Sequence, residues 1–236
     1  MPFIKYYAEF LTNINHKFSF LHYNHLNNLS LGIIMQYPAF FDQVQSIQLQ
    51  DPLSNFLGAF EEGKMEISYI ECVKLAGHSC PTVAGAYLMA LKGLEALYGD
   101  QLPQRGSVRV SMRDGEAEGV TGVICNVISF IAGANGAGGF KGLNGNFSRN
   151  NLVSYNIPME GEVKLTRLDT DKSVTLSYNP SMIPADAMMQ PLMGKCIQGL
   201  ASEGEKKQFG KLWQERVEKI LLGIENWDKI ITVTKG

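Results

Sequence analysis

The segment Val120 to Ala132 constrains this chain most, because apolar residues recur round nearly its whole helical circumference. A helix without a continuous polar stripe needs neighbours on every side, so Val120–Ala132 is expected to be a buried central helix. Ahead of it, Thr82 to Tyr98 sets Tyr87, Leu88, Leu91, Leu94 and Leu97 at helical spacing, with Pro81 suited to the first turn. Ile67 to Ala76 reads as a shorter helix that runs into Gly77. Between the two long helices, Val108 to Met112 alternates apolar and polar residues as a half-buried strand does. Three further strands are expected at Leu152–Tyr155, Glu162–Leu168 and Ser173–Tyr178, the last two joined by the turn Asp169-Thr170-Asp171-Lys172. A helix from Pro184 through Leu200, another over Glu203–Leu222 and a closing strand Lys229–Thr234 complete the pattern. Helices and runs of antiparallel strands without a repeating parallel unit imply an α+β fold, a mixed or antiparallel sheet packed with helices. Residues 35–236 read as one such domain. Residues 1–34, rich in Asn, Tyr, Phe and His and almost free of acids, read as an atypical N-terminal extension whose His22 and His25 are surface histidines.

Charge and cysteine usage exclude several classes of function. The 236 residues carry 21 Lys+Arg against 23 Asp+Glu, a net charge of −2, and the basic residues do not cluster. A phosphate-tracking surface is therefore not expected, and nucleic acid is excluded as a partner. No apolar run reaches the ~18 to 20 residues that a membrane helix needs. Four cysteines, Cys72, Cys80, Cys125 and Cys196, are too few and too far apart for a disulfide framework in a chain this long. They read as free thiols or ligands in a reducing compartment. With no secretory signal at the N-terminus, the cytoplasm is the expected location.

The most specific motif is Gly77-His78-Ser79-Cys80-Pro81. On a helix, an imidazole and a thiol two residues apart would point in nearly opposite directions, whereas on an extended lead-in both can converge on one point. Gly77 permits an unusual φ, and Pro81 pushes Cys80 toward extended conformations while fixing the first helical turn. The positive end of that helix favours an anionic sulfur, which can bind a metal or attack a substrate. Cys125, on the apolar helix, is either a small core side chain or a third ligand. As a ligand it completes a Cys2His set with an open fourth position, the arrangement of a reactive zinc site. Asp114, Glu116 and Glu118 precede that helix and could orient His78 or complete the shell, with a solvated acidic turn the expectation for Asp114 and Glu116. The glycine-rich stretch Gly133 to Gly145 lacks the Lys-Ser/Thr pair of a phosphate loop. It reads as backbone lining a cavity or as a surface loop, with Lys141 and Arg149 beside it as the natural cations for an anionic substrate.

Gly77-His78-Ser79-Cys80-Pro81, the Gly85-containing helix after it, and Cys125 on a second helix that leads to a glycine-rich segment resemble the formylmethanofuran dehydrogenase E-subunit-like family over roughly residues 67–178. The resemblance implies an α+β domain similar to the C-terminal domain of glyceraldehyde-3-phosphate dehydrogenase. It also implies a metal such as zinc at His78, Cys80 and Cys125. Two departures are visible. The family commonly has an acid shortly after the second-helix Cys and another Cys in the glycine-rich turn, where this chain reads Asn126-Val127-Ile128-Ser129 and Gly133-Ala134-Asn135-Gly136. The paired Cys-x-x-Cys zinc ribbon of many members is missing too.

Three functions follow as expectations. The first is a metal-binding protein, with zinc or another transition ion at His78, Cys80 and Cys125 open to a small-molecule ligand. The second is a metal-free thiol enzyme, with Cys80 as nucleophile and His78 as its base. The third is a non-catalytic accessory module. A homodimer is the expected assembly, the commonest symmetry among soluble proteins.

Overall fold

In the computed structural model, which describes residues 35–236, two sheets and a set of helices enclose a continuous core. The expected histidines His22 and His25 lie outside the described residues. Ile47–Gln50 (β1) and Lys64–Ile67 (β2) form an antiparallel pair, with Ile47 opposite Ile67. Between them lies the short helix Pro52–Phe56 (α1), whose N-cap Asp51 accepts the Ser54 N–H and is followed by a proline at the first helical position. Tyr69–Ala76 (α2) begins at Ser68, where Glu71 reaches back to accept the Ser68 N–H at 2.7 Å. Pro81–Tyr98 (α3) follows after the His78 loop.

The larger sheet takes its strands from the second half of the chain. Val108–Met112 (β3), Val153–Ser154 (β4), Val163–Arg167 (β5), Ser173–Tyr178 (β6) and Ile231–Lys235 (β7) stand in the order β4-β3-β5-β6-β7. All neighbours are antiparallel except β3 and β4, which run parallel with Val110 opposite Val153. The α+β reading is correct, and the sheet is mixed. The expected strand Leu152–Tyr155 is cut to two residues and joins the sheet in parallel. Helix Thr121–Ala132 (α4) packs on α3 and on β3.

Helix α3 is buried along nearly its whole length rather than on one stripe, since Val83 through Leu91 are all inaccessible. It approaches the sheet most closely at Gly93, where a Cβ would stand 2.7 Å from Leu165 and 2.8 Å from Leu176. The expected burial of α4 on every side is corrected: Asn126 is exposed and Val123, Ser129 and Phe130 are half-buried, so one of its faces is open. Helix Met189–Ile197 (α5) is shorter than the expected Pro184–Leu200. Ahead of it the Asp186 carboxylate accepts the Met188 N–H, a local turn that competes with helix. Glu203–Leu222 (α6) has the expected bounds and a Ser202/Glu205 capping box. The short helix Trp227–Ile230 (α7) occupies the start of the expected last strand and leads into β7.

Candidate functional site

The His78 loop is built by the end of α2 and the start of α3. Gly77 caps α2 in the left-handed region, at φ 76°, and its N–H donates to Val73 O. That turn leaves His78 exposed, with Nδ1 2.9 Å from Ala76 O. A carbonyl can only accept, so Nδ1 donates and Nε2 is the ring nitrogen left free to accept a proton or a ligand. Ser79 is held from three directions. Tyr69 Oη lies 3.0 Å from Ser79 Oγ, which donates onward to Gln214 Oε1 at 3.0 Å. The Ser79 carbonyl accepts from Trp213 Nε1 at 3.0 Å and from Gln214 Nε2 at 3.3 Å. Helix α6 therefore clamps the residue next to His78, an arrangement that no spacing within the motif announces.

The two sulfurs of the expected metal set are occupied elsewhere. Cys80 is the N-cap of α3 and is buried; its Sγ accepts the Val83 N–H at 3.4 Å. Cys125 is 1% exposed, with its Sγ 3.5 Å from Ser129 Oγ. The Tyr155 hydroxyl lies beside it and is pushed up from its ordinary value by burial, then by Cys125 and Glu116. The open face of α4 carries Val123, Asn126, Val127 and Phe130, at i, i+3, i+4 and i+7. Cys125, one residue off that set, points about 100° away from Asn126. Among the described residues no group of three His, Cys, Asp or Glu side chains is placed to hold a metal ion. Of the acids before α4, Asp114 pairs with Arg113 at 2.8 Å, and Glu118 accepts the Gly115 N–H of its own turn.

The structure instead brings His78 to a cleft of about 530 Å³ between the α2 end, the open face of α4 and the glycine-rich segment. Its polar walls are His78, Arg105, Asn126, Ser129, Asn135 and Arg149, and Leu75, Val123, Phe130 and Phe140 supply apolar surface. Arg149 is placed there as expected, whereas Lys141 is exposed and absent from the walls. Within the glycine-rich segment the Asn135 N–H donates to Arg149 O and the Gly139 N–H to Gly136 O, which ties the segment to itself and to Arg149. Gly133 contributes by lacking a side chain. At φ 66° it ends α4, and a Cβ there would stand 2.5 Å from Arg149 Nη1 and 2.6 Å from Arg105 Cγ.

Sequence reasoning missed Arg105 and the buried Asp51 that both arginines share. Arg149 Nη2 donates to Asp51 Oδ1 at 2.5 Å and Arg105 Nη1 to Asp51 Oδ2 at 3.2 Å. Arg105 also donates to Phe130 O at 2.8 Å. Its guanidinium is held below its ordinary value, first by burial, with Asp51 opposing and neighbouring Arg149 adding to the shift. The available signal was Asp51-Pro52 ahead of Ser54, a helix-start pattern, but its pairing with a residue 98 positions away has no local signature.

Thiol reactivity gives a direct check. Cys72, Cys80 and Cys125 are buried, and burial pushes the Cys72 thiol up to about 12; Cys196 alone of the four is partly accessible. Alkylation of the native protein at neutral pH is expected to label Cys196 first, with the other three thiols reacting only on unfolding and Cys196→Ser removing the fast phase. Peptide mapping by mass spectrometry reads the order.

Among the described residues no helix is long and apolar enough to cross a membrane. No family model matches the chain, and no curated protein matches it.

Proposed function

We propose that the chain is a small-molecule-binding protein of the formylmethanofuran dehydrogenase E-subunit-like kind, its ligand seated in the cleft beside the His-x-Cys-Pro loop. One observation carries this reading: His78, exposed and with Nε2 free, stands on a cleft of about 530 Å³. That volume lies within the range typical of pockets that enclose small ligands. The positions where the resembled family has an acid and a further Cys contribute neutral groups here, Asn126, Ser129, Gly133 and Asn135. The reading carries with it a sheet similar to the C-terminal domain of glyceraldehyde-3-phosphate dehydrogenase, for which the mixed five-stranded order is the support. It also carries a cytoplasmic homodimer, which light scattering and cell fractionation would check.

A second reading, zinc or another transition ion at His78, Cys80 and Cys125, is favoured by the same free Nε2. Against it stand the capping bond of Cys80 and the turn of Cys125 away from the open face of α4. The residues as placed among those described do not fit an ion. Metal analysis of protein purified without added ions, beside Cys80→Ala, separates the readings. Substoichiometric metal in both is expected. Stoichiometric metal lost in the variant would put the metal reading in its place, and rapid alkylation of Cys80 without metal would favour a thiol enzyme. Absence of metal, of Cys80 reactivity and of any cleft ligand would leave the accessory module.

A further inference from the structure

The charges around the cleft do not balance. Asp51 faces two guanidinium groups, Arg105 and Arg149, and among the described residues no Asp or Glu lines the cleft. Arg149 is itself 7% exposed, so its charge sits where water screens it poorly. Only one of its donor groups has a hydrogen-bond partner among the described residues, namely Nη2 on Asp51. Arg105 Nε also lacks a partner among the described residues, but it is sealed from solvent, so Arg149 is the cation that a ligand can meet. A guanidinium fork matches a planar oxyanion better than any other group. The cleft is also apolar and partly aromatic: Phe130 lies under the Arg105 guanidinium, at 5.9 Å from the ring centre, and Phe140 and Leu75 are 42% and 47% exposed. Exposed rings and aliphatic groups beside an unbalanced cation form two halves of one recognition surface.

The geometry points to an amphiphilic organic anion as the ligand of this cleft, its carboxylate or phosphate group set against Arg149 and its flat apolar body laid along Phe130, Phe140 and Leu75. This assignment rests on the cleft being a ligand site, and it adds the chemical class. An isolated inorganic anion would leave the rings uncovered, and a neutral ligand would leave the guanidinium excess uncompensated.

Calorimetric titration of the full chain with 2-naphthoate, 2-naphthamide, 1-naphthyl phosphate and inorganic phosphate tests it. The amide has the shape of the acid but no charge and one acceptor oxygen fewer, and inorganic phosphate differs from the phosphate ester in lacking the ring body. Either organic anion is expected to bind about tenfold or more tightly than the amide, and more tightly than inorganic phosphate. Phe140→Ala, at an exposed position, should weaken binding severalfold with an unchanged melting temperature. Arg149→Gln should remove the preference for acid over amide; because Arg149 is buried and paired, the Phe140 variant supports the test should that protein fail to fold. Equal affinity for acid and amide, both sensitive to Phe140→Ala, would overturn the anion assignment while leaving the cleft a ligand site. Inorganic phosphate binding as tightly as the ester would overturn the apolar half. No binding by any organic probe, together with no shift of the His78 ring signals in NMR, would overturn the assignment and the cleft reading at once.

Discussion

Asp51→Asn is expected to lower stability by about 3 to 5 kcal/mol, because removing one partner of a buried ion pair leaves the other charge uncompensated. In a unit of this size that corresponds to a melting temperature roughly 10 °C lower, read by calorimetry or circular dichroism. Asparagine keeps the α1 cap, since its side-chain oxygen can still accept the Ser54 N–H, so the loss comes from the charge and from the Arg105 bond to Oδ2. The pH dependence has a definite sign. Burial alone pushes the Asp51 carboxyl up, but the bonds from Arg149, from the Ser54 N–H and from Arg105 outweigh it, and the folded group lies below its ordinary 3.8. A depressed carboxyl contributes its full stabilisation above the ordinary value and loses it as pH falls through the lower folded value. The wild type should therefore lose stability steeply below about pH 4, whereas Asp51→Asn, lacking that group, should show a shallower acid limb.

Elements set by local patterning were legible in the sequence. Val108–Met112, Ser173–Tyr178 and Glu203–Leu222 have the expected bounds, because alternation, a hairpin turn and a capping box each specify structure within a few residues. The His78 loop was legible for the same reason: Gly77 and Pro81 fix it from either side. What lay beyond reach depends on long-range placement. Whether the hydrophobic circumference of α4 is fully covered depends on which neighbours arrive, and its Val123–Phe130 face is left open to the cleft. Cys125 sits one position off that face and is buried, so its helix is legible in the sequence while the choice between core side chain and ligand is not. Residues 35–66 carried weak periodic signals, and with them went Asp51, whose importance comes from Arg105 and Arg149 closing on it from distant loops. Of the candidate residues, His78 and Arg149 stand on the cleft, and Cys80 lies at the base of the loop as a helix cap.

Gly85→Ala is expected to destabilise the protein by about 1 to 3 kcal/mol, against the usual direction of such a change. In a helix interior, alanine is favoured over glycine by roughly 1 kcal/mol. Here a Cβ would stand 2.3 to 2.5 Å from three ring atoms of Tyr178, so the overpacking outweighs the gain in propensity. Tyr178 cannot retreat freely, because its hydroxyl donates to Pro81 O at 2.8 Å at the first turn of α3. The ring also leans over the start of the helix that Cys80 caps, and pushing it aside loosens the anchor of the His78 loop from the sheet side. Tyr178→Leu alone should be destabilising through lost packing and the lost hydrogen bond. Combined with Gly85→Ala it should be less damaging than the sum of the two, since the smaller side chain removes the clash. Urea denaturation of the four proteins measures this coupling. Strict additivity would mean that the Tyr178 ring yields without resistance, and Gly85→Ala should then stabilise the helix as propensity alone dictates.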